Sequence, residues 1–95
     1  MDAHEARLKR LRMRSWRRGM KEMDLILGPF SDSEMAGLSA ADLDLYEVLL
    51  EENDQDLYPW ITARIQGAHP GPAALSALLD RISGFAAARL APKSR

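Results

Sequence analysis

The sequence predicts an all-α protein, a small compact bundle of five to six helices. Three observations carry this reading. Apolar residues recur three and four apart along most of the chain, while strand-type alternation is absent and β-branched residues are few. Cap residues and Gly or Pro stops fall at helix-length intervals. The connections between these segments are short, which implies amphipathic helices packed against their sequence neighbours. The 95 residues suit a single helical domain over 1–95, with a core over about residues 5–90 and frayed ends. A chain of this size buries roughly 60–65% of the surface it exposes when unfolded.

A first helix is expected over about Ala3–Met13, with Leu8 and Leu11 facing inward and Arg7, Arg10 and Arg14 along one side. A second follows closely. Trp16, Met20, Met23 and Leu27 are spaced as one apolar helical stripe, and Gly28-Pro29 predicts its end, because proline disfavours helical geometry in the residue before it. Ser31-Asp-Ser-Glu34 has the spacing of a capping box and predicts a short third helix stopped by Gly37.

Ser39 then predicts an N-cap with Asp42 at N3, and Leu38 and Leu43 occupy the two places of a hydrophobic staple. This fourth helix should run to about Glu52 and bury Leu43, Tyr46, Leu49 and Leu50. Asp54 predicts the N-cap of a fifth, holding Leu57, Trp60, Ile61 and Ile65 and ending at Gly67. Pro59 lies deep for a first-turn proline and argues for a later start. HPGP reads as a loop. A last helix from about Pro72 carries Leu75, Leu78, Ile82 and Phe85, and the APKSR tail is expected to fray.

The formal net charge of −1 conceals a segregation: eight of the thirteen basic residues lie between Arg7 and Lys21, while Glu22–Asp56 holds eleven acids and no Lys or Arg. Such asymmetry bears on association rather than on fold. A nucleic-acid surface is one reading of the basic end. Against it, the cations spread around the helix and the rest of the domain would repel a polyanion. A solvated or protein-docking face fits better.

Little points to catalysis. There is no cysteine, so thiolate chemistry and disulfides are excluded. His4 and His69 lack partners at ligand spacing, and no Gly-rich phosphate loop is present. Glu51/Glu52 and Asp54/Asp56 read as solvated cap residues rather than a cation site. Without a secretory h-region or a membrane-length apolar run, the chain is expected to stay in the compartment where it is made, the cytoplasm, or the mitochondrial matrix in a eukaryote. No metal, nucleic acid or membrane partner is expected.

Gly19 is the position that needs explaining, since glycine inside a helix costs about 1 kcal/mol against alanine. It permits either a tight helix–helix junction or close approach of a partner's backbone. In the second case Arg18 and Glu22, four apart on one helix face, would be polar anchors.

Arg18-Gly19-Met20-Lys21-Glu22 reads RGxxE, and its setting RSWRRGMKEMDLILGPF resembles the signature of the succinate dehydrogenase assembly factor family. The block LLEENDQDLYPW, Leu49–Trp60, is similar to that family's LLE-x-x-D-x-D-L-x-x-W region, and the resemblance spans about residues 7–85. It implies a small helical protein that is not an enzyme. Such a protein binds the flavoprotein subunit of succinate dehydrogenase, and in some cases of fumarate reductase, and promotes covalent attachment of FAD to a histidine there. FAD would be held by the partner and not by this chain; apart from the resemblance, the chain is expected to be a monomer. Carried onto this sequence, Arg18, Gly19 and Glu22 become the partner-binding residues, with Arg17 and Arg14 as neighbours. A basic-helix nucleic-acid or other protein-interaction module is the alternative.

Overall fold

The computed structural model describes residues 2–90. Five α-helices follow one another: α1 (Ala3–Trp16), α2 (Lys21–Glu34), α3 (Ala40–Leu50), α4 (Asp54–Ile65) and α5 (Ser76–Leu90), with short 3₁₀ turns at Met35–Gly37 and Ala73–Leu75. Helix α1 packs along α2 and α4 along α5, while α2 meets α5 and joins the two pairs. The APKSR tail lies outside the described residues.

Helix α1 starts as its sequence dictates, with the Asp2 carboxylate accepting the Glu5 amide at 2.7 Å. It runs on to Trp16, three residues past the expected end. The Trp16–Leu27 stripe therefore straddles a break, with Trp16 closing α1 and Met20 preceding α2. The stripe still shares a face because the Trp16 indole lies flat on Gly28, where an added Cβ would sit 2.3 Å from the ring. The indole N–H donates to the Asp32 carboxylate at 3.2 and 3.3 Å.

The expected stop at Gly28-Pro29 and the helix opening at Ser31 are both corrected. Helix α2 continues through them to Glu34. Interior proline costs about 3 kcal/mol, but the carbonyl it leaves unbonded is that of Leu25, a residue 53% exposed to water. Continuing the helix past Pro29 carries Phe30 into the core, fully buried, and leads on to the fully buried Met35, at roughly 1.5–3 kcal/mol for each large side chain. Burial wins. Ser31 caps nothing: its hydroxyl donates back to the Gly28 carbonyl at 2.7 Å, inside the helix.

Helix α3 follows the sequence closely. The Ser39 hydroxyl accepts the Asp42 amide at 3.1 Å, Leu38 and Leu43 are buried as a staple, and Leu43, Tyr46, Leu49 and Leu50 form its inner face. In α4 the cap is Asn53, whose side chain accepts the Gln55 amide, and not Asp54. Pro59 sits inside this helix, against the expected later start, and stands on its exposed side. The α4 end is a Schellman motif. The Ala68 amide bonds to the Ala63 carbonyl and the Gly67 amide to that of Arg64, and Gly67 takes φ +97°.

The core joins all five helices. Phe30 stacks on Tyr46 at 5.9 Å and meets Phe85 edge-on at 5.6 Å. Tyr46 is fully buried, and its hydroxyl shares a 2.6 Å hydrogen bond with Ser15, which donates to the Leu11 carbonyl. Burial pushes the Tyr46 phenol up to about 12, against the opposing pull of the Ser15 hydrogen bond and of Arg18 and Arg14.

Candidate functional site

The basic first helix and the acidic middle of the chain are brought together inside the molecule. Arg7 of α1 bonds Asp44 and Glu47 of α3, each at 2.7 Å, and Arg14 pairs with Glu51. The hydrogen bonds to Asp44 and Glu47 raise the Arg7 pKa further above its usual range. Part of the charge segregation seen in the sequence, Arg7 and Arg14 against Asp44, Glu47 and Glu51, is thus complementarity between α1 and α3 with its C-cap. Among the described residues, Lys9, Arg10, Arg12, Arg17 and Lys21 make no ion pair.

The ladder ends at the turn between α1 and α2, residues 17–20, and there the geometry changes. Arg18 leaves the surface. Its side chain is 9% exposed and faces Asp54, itself 11% exposed. Nε donates to Asp54 Oδ1 at 2.8 Å, Nη1 to the Leu50 carbonyl at 2.7 Å and Nη2 to the Glu52 carbonyl at 2.9 Å, with Nη2 also 2.7 Å from Asp54. The guanidinium therefore closes the C-terminal end of α3, where free carbonyls and the helix dipole favour a cation. The Arg18 amide is held separately, donating to the Asp24 carboxylate at 2.7 Å.

Arg18 and Glu22 do not share a helix face as their spacing suggests, because Arg18 stands in the turn before α2 begins. Their roles separate accordingly: Arg18 turns inward, while Glu22 is exposed in the first turn of α2 and, among the described residues, has no ion-pair partner.

Gly19 has φ +92°, a conformation L side chains avoid at about 1–2 kcal/mol. A Cβ built there meets nothing within 4 Å. The glycine is thus required by the backbone and not by crowding, and its bare face opens on solvent. Met20, before α2, offers no side-chain cap.

An open groove of about 890 Å³ runs along this turn. Gly19, Met20, Lys21 and Glu22 form one side, Glu52, Asn53, Asp54 and Gln55 the other, and Arg14 and Arg17 border it. All five sequence-predicted site residues, Arg14, Arg17, Arg18, Gly19 and Glu22, line it. Arg17 and Glu22 are exposed there, Arg14 is engaged with Glu51, and Arg18 is turned inward.

Asp54 and Asp24 were the residues sequence reasoning passed over as site members. The D-x-D spacing was visible, but it read as a helix cap. That Asp54 is the counter-ion of an arginine 36 positions earlier carries no local signal.

Three comparisons bear on this arrangement. Residues 9–86 match the family model described as flavinator of succinate dehydrogenase. The chain is 45% identical over 62 residues to the FAD assembly factor SdhE of Pseudomonas aeruginosa, covering 65% of this chain and 73% of that protein. It is 36% identical over 67 residues to the FAD assembly factor SdhE of Pseudomonas putida, covering 70% and 80%. With the mitochondrial succinate dehydrogenase assembly factor 2 of Mycosarcoma maydis it shares 38% identity over 63 residues, covering 66% of this chain but only 26% of that longer protein. No solved structure matches the chain.

Proposed function

The chain belongs to the flavinator of succinate dehydrogenase family, and from that premise we propose that it is an assembly factor that docks on the flavoprotein subunit of succinate dehydrogenase through the Gly19 turn and promotes covalent attachment of FAD to it. The observation that carries this reading is Gly19 itself: exposed, at positive φ, with no described atom within 4 Å of a Cβ built there, and flanked by Arg17, Lys21 and Glu22, which make no ion pair among the described residues. A partner backbone can approach such a position more closely than any site bearing a side chain. Arg17 and Glu22 then supply charge-assisted hydrogen bonds on either side.

The protein acts without a reacting group of its own. Flavinylation requires the flavin to be held against the receiving histidine while negative charge developing on the ring system is stabilised. A helper meets that need by binding the flavoprotein conformation that has this geometry more tightly than the others, which raises its population. FAD stays with the partner throughout, and the helper works as a cytoplasmic monomer. Among the described residues no helix is long and apolar enough to cross a membrane.

The reading is tested by titrating apo flavoprotein subunit with purified chain. Gly19→Arg, which fills the bare face, should abolish binding, and Glu22→Ala should weaken it by about tenfold. Wild-type affinity in Gly19→Arg would remove the docking assignment.

A further inference from the structure

The arginine of the RGxxE motif is the residue a sequence reading places in contact with a partner, and its geometry is at odds with that role. All three nitrogens of Arg18 donate to acceptors within the chain, and its only counter-ion among the described residues is nearly as buried as it is. We infer that Arg18 is a positioning residue and that Asp54 is its obligate partner: together they hold the turn in the shape that presents Gly19 and Glu22 to the flavoprotein. The inference rests on the docking reading above and adds two residues to it.

Two features of the turn explain why it needs such an anchor. It has no side-chain cap at Met20, and among the described residues no atom lies within 4 Å of a Cβ built at Gly19. A positive-φ glycine with no neighbours would sample other conformations unless the residues beside it are fixed. Arg18 is fixed twice, by its amide on Asp24 and by its guanidinium on the α3–α4 corner. The RGxxE block and the Leu49–Trp60 block are therefore one unit, the first carrying the docking face and the second its anchor. Lysine cannot replace this arginine, since a single ammonium on a flexible stem does not span a carboxylate and two carbonyls in a fixed fork.

Arg18→Lys, Asp54→Asn and the double variant, each titrated against apo flavoprotein subunit, test this directly. Each single variant should raise Kd by about tenfold or more, and the double variant by no more than the worse single, because both break the same link. Amide exchange should speed up at Arg18 and Gly19 in both, with the Leu49 amide still protected. Asp54→Glu, which keeps the charge, should recover most of the affinity. Arg64→Lys, which disturbs a buried arginine elsewhere, should leave Kd unchanged.

If Arg18 instead touched the flavoprotein, Asp54→Asn would free its guanidinium and leave Kd unchanged or lower while Arg18→Lys raised it. That result overturns the inference. An equal rise in Kd with Arg64→Lys would also overturn it, by showing a general loss of stability. Gly19→Arg separates the two levels of the argument. Normal binding by Gly19→Arg sinks the docking reading, whereas its loss beside a neutral Asp54→Asn sinks the positioning role alone.

Discussion

Two connections in this molecule are built by the same device. Between α1 and α2, Arg18 is buried, donates to the Leu50 and Glu52 carbonyls and pairs with Asp54, beside a glycine at φ +92°. Between α4 and α5, Arg64 has a side chain only 2% exposed, donates to the Pro70 and Ser76 carbonyls and pairs with Asp80, near a glycine, Gly71, at φ +106°. The glycines differ. A Cβ at Gly71 would come within 2.9 Å of Leu79 and 3.2 Å of Trp60, whereas one at Gly19 meets nothing within 4 Å. The Gly71 turn is closed over by its own core and the Gly19 turn is left bare. Gly67, also bare at φ +97°, belongs to the Schellman turn that ends α4 and has no charged neighbour in sequence. A buried arginine is thus the structural half of the motif, and the uncovered glycine is the half that a partner can use.

Removing either arginine has the largest expected effect on these turns. Arg18→Ala and Arg64→Ala each leave part-buried carbonyls without donors, at about 1–3 kcal/mol. For Arg18 the loss of a nearly buried ion pair brings the cost to about 3–5 kcal/mol. Arg64→Ala should stay in the lower range, because Asp80 is 56% exposed and recovers solvation. Denaturant unfolding should show both losses, and only Arg18→Ala should also lower affinity for the flavoprotein when measured on the folded fraction.

The glycines sharpen the contrast at smaller cost. Gly71→Ala adds a steric clash to backbone strain, together about 3 kcal/mol, while Gly19→Ala carries strain alone, about 1–2 kcal/mol. A melting series that ranked Gly19→Ala as the more damaging would mean that the bare turn is packed after all.

Tyr46 reports on the Arg18 end alone, since Arg18 and Arg14, and not Arg64, act on its phenol. Its folded pKa is raised from 10.0 to about 12. The neutral form is therefore the one the fold favours. That contribution, about 2–3 kcal/mol, is complete below pH 10 and is lost as pH rises towards 12. Spectrophotometric titration should find one of the two tyrosines ionising late, and later still in Arg18→Ala.

What the sequence discloses follows from how local each determinant is. Helix α3 was legible because its cap, staple and inner face all lie within a few residues of one another. Helix α2 was misread because the stop rule for Gly-Pro is also local, while its override, the burial of Phe30 among Tyr46 and Phe85, is tertiary. The same distinction divides the site. Gly19 stands out as a glycine amid helical periodicity, and the resemblance gave it a role. Its anchor at Asp54 could not be seen, because nothing near Asp54 marks it as the partner of a distant arginine. Trp16 shows the reverse error: its spacing with Met20 and Leu27 looked like one helix, but the common face arises from an indole folded back on Gly28.

The most direct measurement of the central claim is the initial rate of covalent flavin incorporation into purified apo flavoprotein subunit with FAD, read as flavin fluorescence in a denaturing gel. The wild-type chain should accelerate incorporation, Gly71→Ala should do so in proportion to its folded fraction, and Gly19→Arg, although folded, should give the rate seen without any helper. Full acceleration by Gly19→Arg would contradict the claim that the uncovered glycine is where this protein meets its client.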